Sequence, residues 1–193
     1  MALLTGSKKI KTAVFISGTG SNLESLIKFS KLKKSPISIN LIISSNSRAK
    51  GLKHGTKYKI RKKIFNLKKK INSEKKILLE LKNNDIKLIC LAGFMKILSK
   101  SFIKNFKGKI LNIHPSLLPK FKGLNTHERV IKNNEKYSGC TVHLVNSKLD
   151  SGKIILQKKI KIKKNDNSKT LSKRILHEEH KLYPKAILKI FNL

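Results

Sequence analysis

The sequence has few acidic, cysteine and aromatic residues. Its 193 residues include 10 Asp and Glu, 2 Cys, 4 Pro and no Trp, and aromatic residues make up 6%. One cysteine, Cys90, lies inside an apolar run and the other, Cys140, follows a glycine, which favours reduced thiols over a disulfide framework. The longest apolar run, Leu88 to Met95, falls far short of the roughly 18 residues that cross a bilayer. We therefore expect neither structural disulfides nor a membrane-spanning segment.

A secretory signal is also missing from the start of the sequence. Residues 1–10 have only a few apolar side chains before Lys8 and Lys9, and no small-residue cleavage site follows. A length of 193 residues is typical of one domain, and no internal repeat or linker-like stretch divides it. We expect a single cytoplasmic domain over residues 1–193, with residues 1–11 as a short basic extension.

Positive charge greatly exceeds negative charge. The chain has 45 Lys and Arg against 10 Asp and Glu, a net charge of +35, but only four of the 45 are arginine. Surfaces that bind nucleic acid draw heavily on arginine and on stacking aromatic side chains. The lysines are also spread over the whole length. We interpret them mainly as solvated background charge, with attraction of anionic small molecules and nucleic-acid binding as the alternatives.

Short apolar segments alternate with segments of helical periodicity. Four β-branched segments predict buried strands: 12–17, 37–44, 86–92 and 109–113. Apolar residues at helical spacing predict helices over 22–31 and 74–81. A later strand pair is predicted at 141–145 and 153–162, and a last helix over 171–190, interrupted by Pro184. This order predicts one α/β domain with a mainly parallel sheet covered on both faces.

A glycine-rich loop, Ser17 to Asn22, stands between the first strand and the first helix. Glycines let the backbone approach a ligand closely, and a helix N-terminus offers free N–H groups to an anion. Leu23 occupies the third glycine position of a dinucleotide fingerprint, and no lysine stands where a Walker loop requires one. Ser21 and Glu24 match a capping box. The loop favours a phosphate monoester, with a plain structural turn as the alternative.

Polar side chains follow the strand that ends near Ile113. Alternation along an extended backbone sends Asn112 and His114 to the same side, and α/β proteins place functional groups at the carboxyl ends of their strands. The alternative is that both side chains satisfy loop backbone groups.

Asp150 is a further candidate: it either fixes the ring of His114 and favours its charged form, or is a solvated turn residue between Lys148 and Lys153.

Five motifs, in order, resemble the phosphoribosylglycinamide formyltransferases. They are SGTGSN at 17–22, LAGFMKILS at 91–99, LNIHPSLLPKFKGLNTHE at 111–128, GCTVHLVNSKLDSGKIILQ at 139–157 and HEEHKLYP at 177–184. The resemblance extends over about residues 12–190. It implies a single-domain, Rossmann-like formyltransferase fold with an antiparallel C-terminal strand pair.

The resemblance also implies roles for individual residues. Substrate-binding positions fall on Gly20, Ser21, Asn22 and Glu179, and the catalytic trio falls on Asn112, His114 and Asp150. Folate-binding positions fall on Lys70, Met95, Lys96, Ile97, Leu98 and Asn112. Lys70 stands where the family has an arginine, and Lys68 or Lys69 are alternatives because the alignment is loose there. His143 matches a family histidine whose role, packing or chemical, stays open.

The implied reaction transfers a formyl group from 10-formyltetrahydrofolate, a cosubstrate, to the primary amine of glycinamide ribonucleotide in purine biosynthesis. No metal is implied, since the sequence has no HExxH motif and no paired-cysteine ligand set. We expect small-molecule partners, no nucleic acid or membrane partner, and a monomer or homodimer. The alternatives are a formyltetrahydrofolate hydrolase, a methionyl-tRNA formyltransferase-like enzyme, and a non-catalytic, basic nucleic-acid-binding protein.

Overall fold

The computed structural model describes residues 9–66 and 70–193 as an α/β fold built on one sheet. The strands are β1 (Ile10–Ile16), β2 (Ile37–Ser44), β3 (Arg61–Ile64), β4 (Leu88–Leu91), β5 (Lys109–His114), β6 (Tyr137–Leu144) and β7 (Ile154–Lys161). The helices are α1 (Ser21–Ser30), α2 (Leu52–Lys57), α3 (Lys70–Asn83), α4 (Lys100–Asn105), α5 (Thr126–Lys132) and α6 (Ser168–Ile190). Of the predicted N-terminal extension, residues 1–8 lie outside the described residues, and Ile10 and Lys11 belong to β1.

The sheet has the strand order β3-β2-β1-β4-β5-β6-β7. Its first five strands are parallel, while β6 runs antiparallel to both β5 and β7. The predicted mainly parallel sheet with an antiparallel C-terminal pair is therefore confirmed. Each parallel connection passes through a helix, so the carboxyl ends of β1, β4 and β5 meet at one edge of the sheet.

Side chains on β1 alternate between two apolar cores because successive residues of a strand face opposite sides. Val14 and Ile16 pack in the core that α1 and α6 cover, whereas Ala13 and Phe15 pack in the core that α3 and α4 cover. All four side chains are fully buried. Helices on both faces explain why the central strands are apolar throughout rather than alternating with polar residues.

The last helix is continuous, which corrects the predicted interruption at Pro184. Proline cannot donate a backbone hydrogen bond to the carbonyl four residues earlier, that of His180. In α6 the hydroxyl of Ser25 donates to this carbonyl oxygen at 3.0 Å. A side chain of α1 therefore replaces the missing backbone donor, and α6 continues to Ile190.

The start of α1 also differs from the prediction. Ser21 is the first helical residue and the N-cap is Gly20, so the predicted capping box of Ser21 and Glu24 is wrong. Glu24 instead accepts a hydrogen bond from the Tyr58 hydroxyl at 3.2 Å and lies 3.6 Å from Lys57 Nζ. No helix in the described part of the chain is long and apolar enough to cross a membrane.

Candidate active site

A cleft of about 690 Å³ lies at the carboxyl edge of the parallel strands. One end is formed by the loop after β1, and the other by the segment after β4. Between them stand Asn112 and His114 of β5, together with Asp150 from the loop between β6 and β7. The fold therefore brings to one cleft polar groups that are up to 157 residues apart in the sequence.

The loop after β1 requires glycine for two reasons. Gly20 has a φ of +78°, and a Cβ atom there would lie 2.6 Å from the Cα atom of Gly51. The Gly51 N–H group in turn donates to the carbonyl of Gly18 at 3.0 Å. This close approach holds Gly20, Ser21 and Asn22 against the cleft, where the N-terminal N–H groups of α1 are available to an anion.

Glu179 lies beside this loop, because α6 packs on α1. Its Oε2 accepts a hydrogen bond from Asn22 Nδ2 at 2.7 Å, and its side chain is buried rather than on the surface. Burial raises the pKa of Glu179 to about 7, although the hydrogen bond from Asn22 opposes that rise. Asn22 Oδ1 is buried and has no hydrogen-bond partner within residues 9–66 and 70–193. Glu179 and Asn22 thus present an ionisable carboxyl group and an available acceptor.

Asp150 is the meeting point of the predicted trio. Its Oδ1 accepts from Asn112 Nδ2 at 3.4 Å, and its Oδ2 lies 3.4 Å from His114 Nδ1. The Gly123 N–H group also donates to Oδ2, at 2.9 Å. Burial alone would raise the pKa of Asp150, but hydrogen bonding to His143 and Gly123 and the nearby His114 ring lower it overall. Asp150 is therefore a buried, ionised group, and the solvated-turn alternative does not describe it.

His114 has both ring nitrogen atoms engaged. Nε2 lies 2.9 Å from the carbonyl oxygen of Phe121, which can only accept, so this nitrogen carries a proton. Nδ1 faces Asp150. Burial lowers the pKa of His114, and the Phe121 carbonyl and Asp150 only partly offset that effect. Burial thus opposes the charged ring, while the Asp150 carboxylate beside Nδ1 favours it, and the expectation that Asp150 keeps this ring cationic stays a prediction.

His143 stands directly opposite Asn112 on the neighbouring strand. Its Nδ1 lies 2.8 Å from the Leu144 carbonyl, which can only accept, so this nitrogen carries a proton, and its Nε2 lies 3.6 Å from Asp150 Oδ1. Asn112 Nδ2 lies 3.2 Å from this Nε2. The amide nitrogen of Asn112 therefore faces both His143 and Asp150.

Sequence reasoning missed several residues of the cleft. Gly123 lines the cleft and Phe121 lies beside it, and both contact the predicted trio through backbone groups, which residue type does not reveal. His127 lines the cleft with a buried Nδ1 that has no hydrogen-bond partner among the described residues. Leu124 and Leu149, which are 69% and 50% exposed, add apolar surface at the rim. For Leu124 the sequence did contain a signal, because an apolar side chain in a loop rich in Lys, Gly and Asn indicates a surface that binds a ligand.

The predicted folate-binding residues divide into two groups. Met95, Lys96, Ile97 and Leu98 all line the cleft. Met95 and Ile97 are 63% and 64% exposed, whereas Leu98 is buried. Lys70 begins α3 on the surface and is not among the cleft-lining residues. Lys68 and Lys69 lie outside the described residues. In the described ranges, no group of three or more His, Cys, Asp or Glu side chains is arranged to hold a metal ion.

Comparisons with known proteins agree with this geometry. The formyl transferase family model matches residues 10–187. The chain is 39% identical to the phosphoribosylglycinamide formyltransferase of Haemophilus influenzae, over 92% of this chain and 85% of that protein. It is 42% identical to the human trifunctional purine biosynthetic protein adenosine-3 over 93% of its own length, but it spans only 18% of that longer protein.

Solved structures give the same result. The phosphoribosylglycinamide formyltransferase of Brucella melitensis superimposes with a TM-score of 0.89 at 41% identity, over 95% of this chain and 96% of that one. The glycinamide ribonucleotide transformylase 1 of Symbiobacterium toebii has a TM-score of 0.91 at 32% identity, over 97% and 90% of the two chains. The family model, the relatives of matching length and the shared fold show that the chain belongs to the phosphoribosylglycinamide formyltransferase family of enzymes.

Proposed function

We propose that the protein transfers the formyl group of 10-formyltetrahydrofolate to the primary amine of glycinamide ribonucleotide, a step of purine biosynthesis. The observation that carries this proposal is the convergence of Asn112 and His114 on Asp150, midway between a loop suited to phosphate and an apolar wall. Family membership supports it, since relatives of matching length carry this activity in their names.

The nucleotide belongs at the end formed by Gly20, Ser21 and Asn22. Free N–H groups at the start of α1 would receive the phosphate, and Asn22 Oδ1 would accept from a ribose hydroxyl. Glu179, once ionised, offers two acceptor oxygens for hydroxyl or amine hydrogens. A pKa of about 7 makes its charge sensitive to the ligand, because a bound donor favours the ionised form.

The formyl donor belongs at the opposite end of the cleft. The exposed side chains of Met95 and Ile97 form apolar surface there, and a planar folate ring would cover that surface. The available volume, about 690 Å³ in total, is within the range of ligand pockets. Lys70 and its neighbours are candidates for contacts with the carboxylates of the folate tail.

The chemical difficulty of formyl transfer is the oxyanion that forms when the amine adds to the formyl carbon. Asn112 Nδ2 has a hydrogen that faces Asp150 at a long 3.4 Å, and this hydrogen can turn to the oxyanion. One such donor lowers a barrier by about 2.7–4 kcal/mol. A second proton on His114 would add positive charge beside the oxyanion, and the Asp150 carboxylate would stabilise the charged ring. A water near Asp150 would carry the proton of the attacking amine to the departing folate nitrogen.

The test is a product assay with purified protein, 10-formyltetrahydrofolate and three acceptors. These are glycinamide ribonucleotide, charged initiator tRNA, and water alone. We expect formylated glycinamide ribonucleotide as the product, with slow hydrolysis and no tRNA product. Formate release without transfer would instead indicate a hydrolase, and formylated tRNA a tRNA formyltransferase.

We propose small molecules as the only substrates, a cytoplasmic location, and a monomer or homodimer. The high positive charge would attract anionic substrates, although salt screens this attraction beyond about 8 Å. Sedimentation of the purified protein measures the oligomeric state.

A further inference from the structure

Glu74 is a buried acid that the proposed chemistry does not use. It lies on α3, is 5% exposed, and is one of only 10 acidic residues in the chain. A buried carboxylate is costly unless hydrogen bonds replace its lost hydration. The contacts that satisfy Glu74 therefore show what it holds in place.

Both carboxylate oxygens of Glu74 accept from one residue, Ser99. Oε1 accepts from the Ser99 N–H group at 2.8 Å, and Oε2 accepts from the Ser99 hydroxyl. The same hydroxyl oxygen accepts from the Phe102 N–H group at 3.0 Å and thereby caps α4. Glu74 thus ties α3 to the chain directly after the cleft-lining segment Met95–Leu98.

A second anchor holds the start of that segment. The Met95 N–H group donates to Ser17 Oγ at 2.9 Å. Between the two anchors, Met95 and Ile97 are more than 60% exposed, so burial of their side chains does little to fix their positions. Leu98 is buried in the core, and the hydrogen bonds at Ser17 and Ser99 hold the backbone on either side of the exposed Met95 and Ile97.

We infer that Glu74 is a positioning residue for the formyl donor: its bonds to Ser99 hold Met95–Leu98 in the orientation that receives the folate ring. The inference rests on the proposed function, which supplies the ligand of this wall. The nucleotide loop shares Ser17 with this wall, but its other contacts, of Gly20 with Gly51 and of Asn22 with Glu179, do not involve Glu74. Loss of the Glu74 carboxylate should therefore weaken the binding of the formyl donor and leave the binding of the nucleotide nearly unchanged.

The experiment compares three variants of the full chain. Glu74→Ala removes both acceptors, whereas Glu74→Gln keeps an amide oxygen for the Ser99 N–H group. The matched control is Glu80→Ala, which removes a carboxylate from the same helix. Glu80 lies 3.2 Å from both Arg61 Nη2 and Lys63 Nζ on the β3 side, away from Ser99.

We expect Glu74→Ala to raise the KM for 10-formyltetrahydrofolate about tenfold, with the KM for glycinamide ribonucleotide changed less than about twofold. Glu74→Gln should recover most of the difference, and Glu80→Ala should leave both KM values near wild type. Calorimetric titration with 5,8-dideazafolate should show the same selective loss. Equal changes in both KM values, or no change in either, would overturn the inference and leave Glu74 with a purely structural role.

A readout independent of activity separates this inference from the proposed function. Amide hydrogen exchange at residues 95–102 should accelerate at least about tenfold in Glu74→Ala and not in Glu80→Ala. If wild-type protein transfers no formyl group but exchange accelerates, the proposed function fails while the anchoring by Glu74 stands. Unchanged exchange contradicts the anchoring, whatever the protein transfers.

Discussion

The proposed nucleotide end and the proposed folate end of the cleft offer their ligands different kinds of surface. At the nucleotide end, Asn22 and Glu179 are buried and bonded to each other. At the folate end, Met95 and Ile97 are exposed, and hydrogen bonds from neighbouring positions hold their backbone. A change at the buried polar end should therefore affect stability and pH dependence as well as binding. A change at the exposed apolar end should affect binding alone.

The largest effects are expected between the two ends, at His114 and Asp150. Asp150→Asn should lower kcat about 10³-fold, because it removes the carboxylate that contacts Asn112 and stabilises charged His114. Asp150 raises the pKa of His114. Without the Asp150 carboxylate, His114 should lose its charge at a lower pH, so the fall in activity that follows this loss should also move to a lower pH. Steady-state kinetics across pH measure both effects.

Asp166→Asn is the matched control, because this aspartate lies outside the cleft, just before α6, where it accepts from the Thr170 hydroxyl and pairs with Arg174. Asp166→Asn should lower the free energy of unfolding and leave kcat unchanged. An unchanged pH profile in Asp150→Asn would remove Asp150 from the mechanism.

The next largest effect concerns the stability of the buried polar end. The pKa of Glu179 is about 7 in the folded state against an ordinary 4.5, so the folded protein holds this proton more tightly than the unfolded chain. The stability that protonated Glu179 contributes is complete below pH 4.5 and is lost as the pH rises through about 7. Relative to wild type, Glu179→Gln should gain about 3 kcal/mol of unfolding free energy between pH 4 and pH 8.

Denaturant unfolding at both pH values gives this difference. Glu178→Gln is the control, since the Glu178 carboxylate forms a surface ion pair with Lys181. A Glu179→Gln difference that does not vary with pH would show that the carboxyl group has an ordinary pKa.

The buried polar end should also control nucleotide binding. Asn22→Ala removes an acceptor and leaves Glu179 without its hydrogen-bond donor. We expect the KM for glycinamide ribonucleotide to rise about 30-fold, the equivalent of about 2 kcal/mol, with a much smaller change for the folate. Ser21→Ala should act in the same direction. Equal effects on both substrates would contradict the assignment of this loop to phosphate.

The smallest effect is expected at the exposed apolar end. Ile97→Ser should raise the KM for the folate about fivefold, from the loss of apolar contact area. Its melting temperature should match wild type, because Ile97 is 64% exposed. Ile71→Ser is the control: Ile71 is 70% exposed on α3 and does not line the cleft. A large loss of stability in Ile97→Ser would contradict the expectation that changes at the exposed apolar end affect binding alone.

The sequence predicts most of the sheet because the central strands are continuous β-branched runs between Gly, Asn and Ser. It does not predict β3, whose sequence RKKI has no apolar alternation because it is an exposed edge strand. The continuity of α6 through Pro184 was equally hidden, since it depends on Ser25, 155 residues away from His180. Local patterns cannot report such distant compensation.

The candidate site shows the same limit. Motif order locates Asn112, His114 and Asp150, and strand alternation explains why the first two share a side. The charge of His114, however, depends on burial and on the Phe121 carbonyl, which spacing does not reveal. The pKa of Glu179 likewise follows from its packing between α6 and α1, because its residue type alone indicates an ordinary surface acid.

The central claim is that His114 acts in the chemistry of the cleft and not in holding the nucleotide. It is tested most directly by measuring, on one preparation of His114→Ala, the dissociation constant of glycinamide ribonucleotide and the rate of formyl transfer at saturation. We predict a transfer rate at least about 10³-fold below wild type, with a dissociation constant within about twofold. Weakened nucleotide binding together with an unchanged transfer rate in the liganded enzyme would contradict the account.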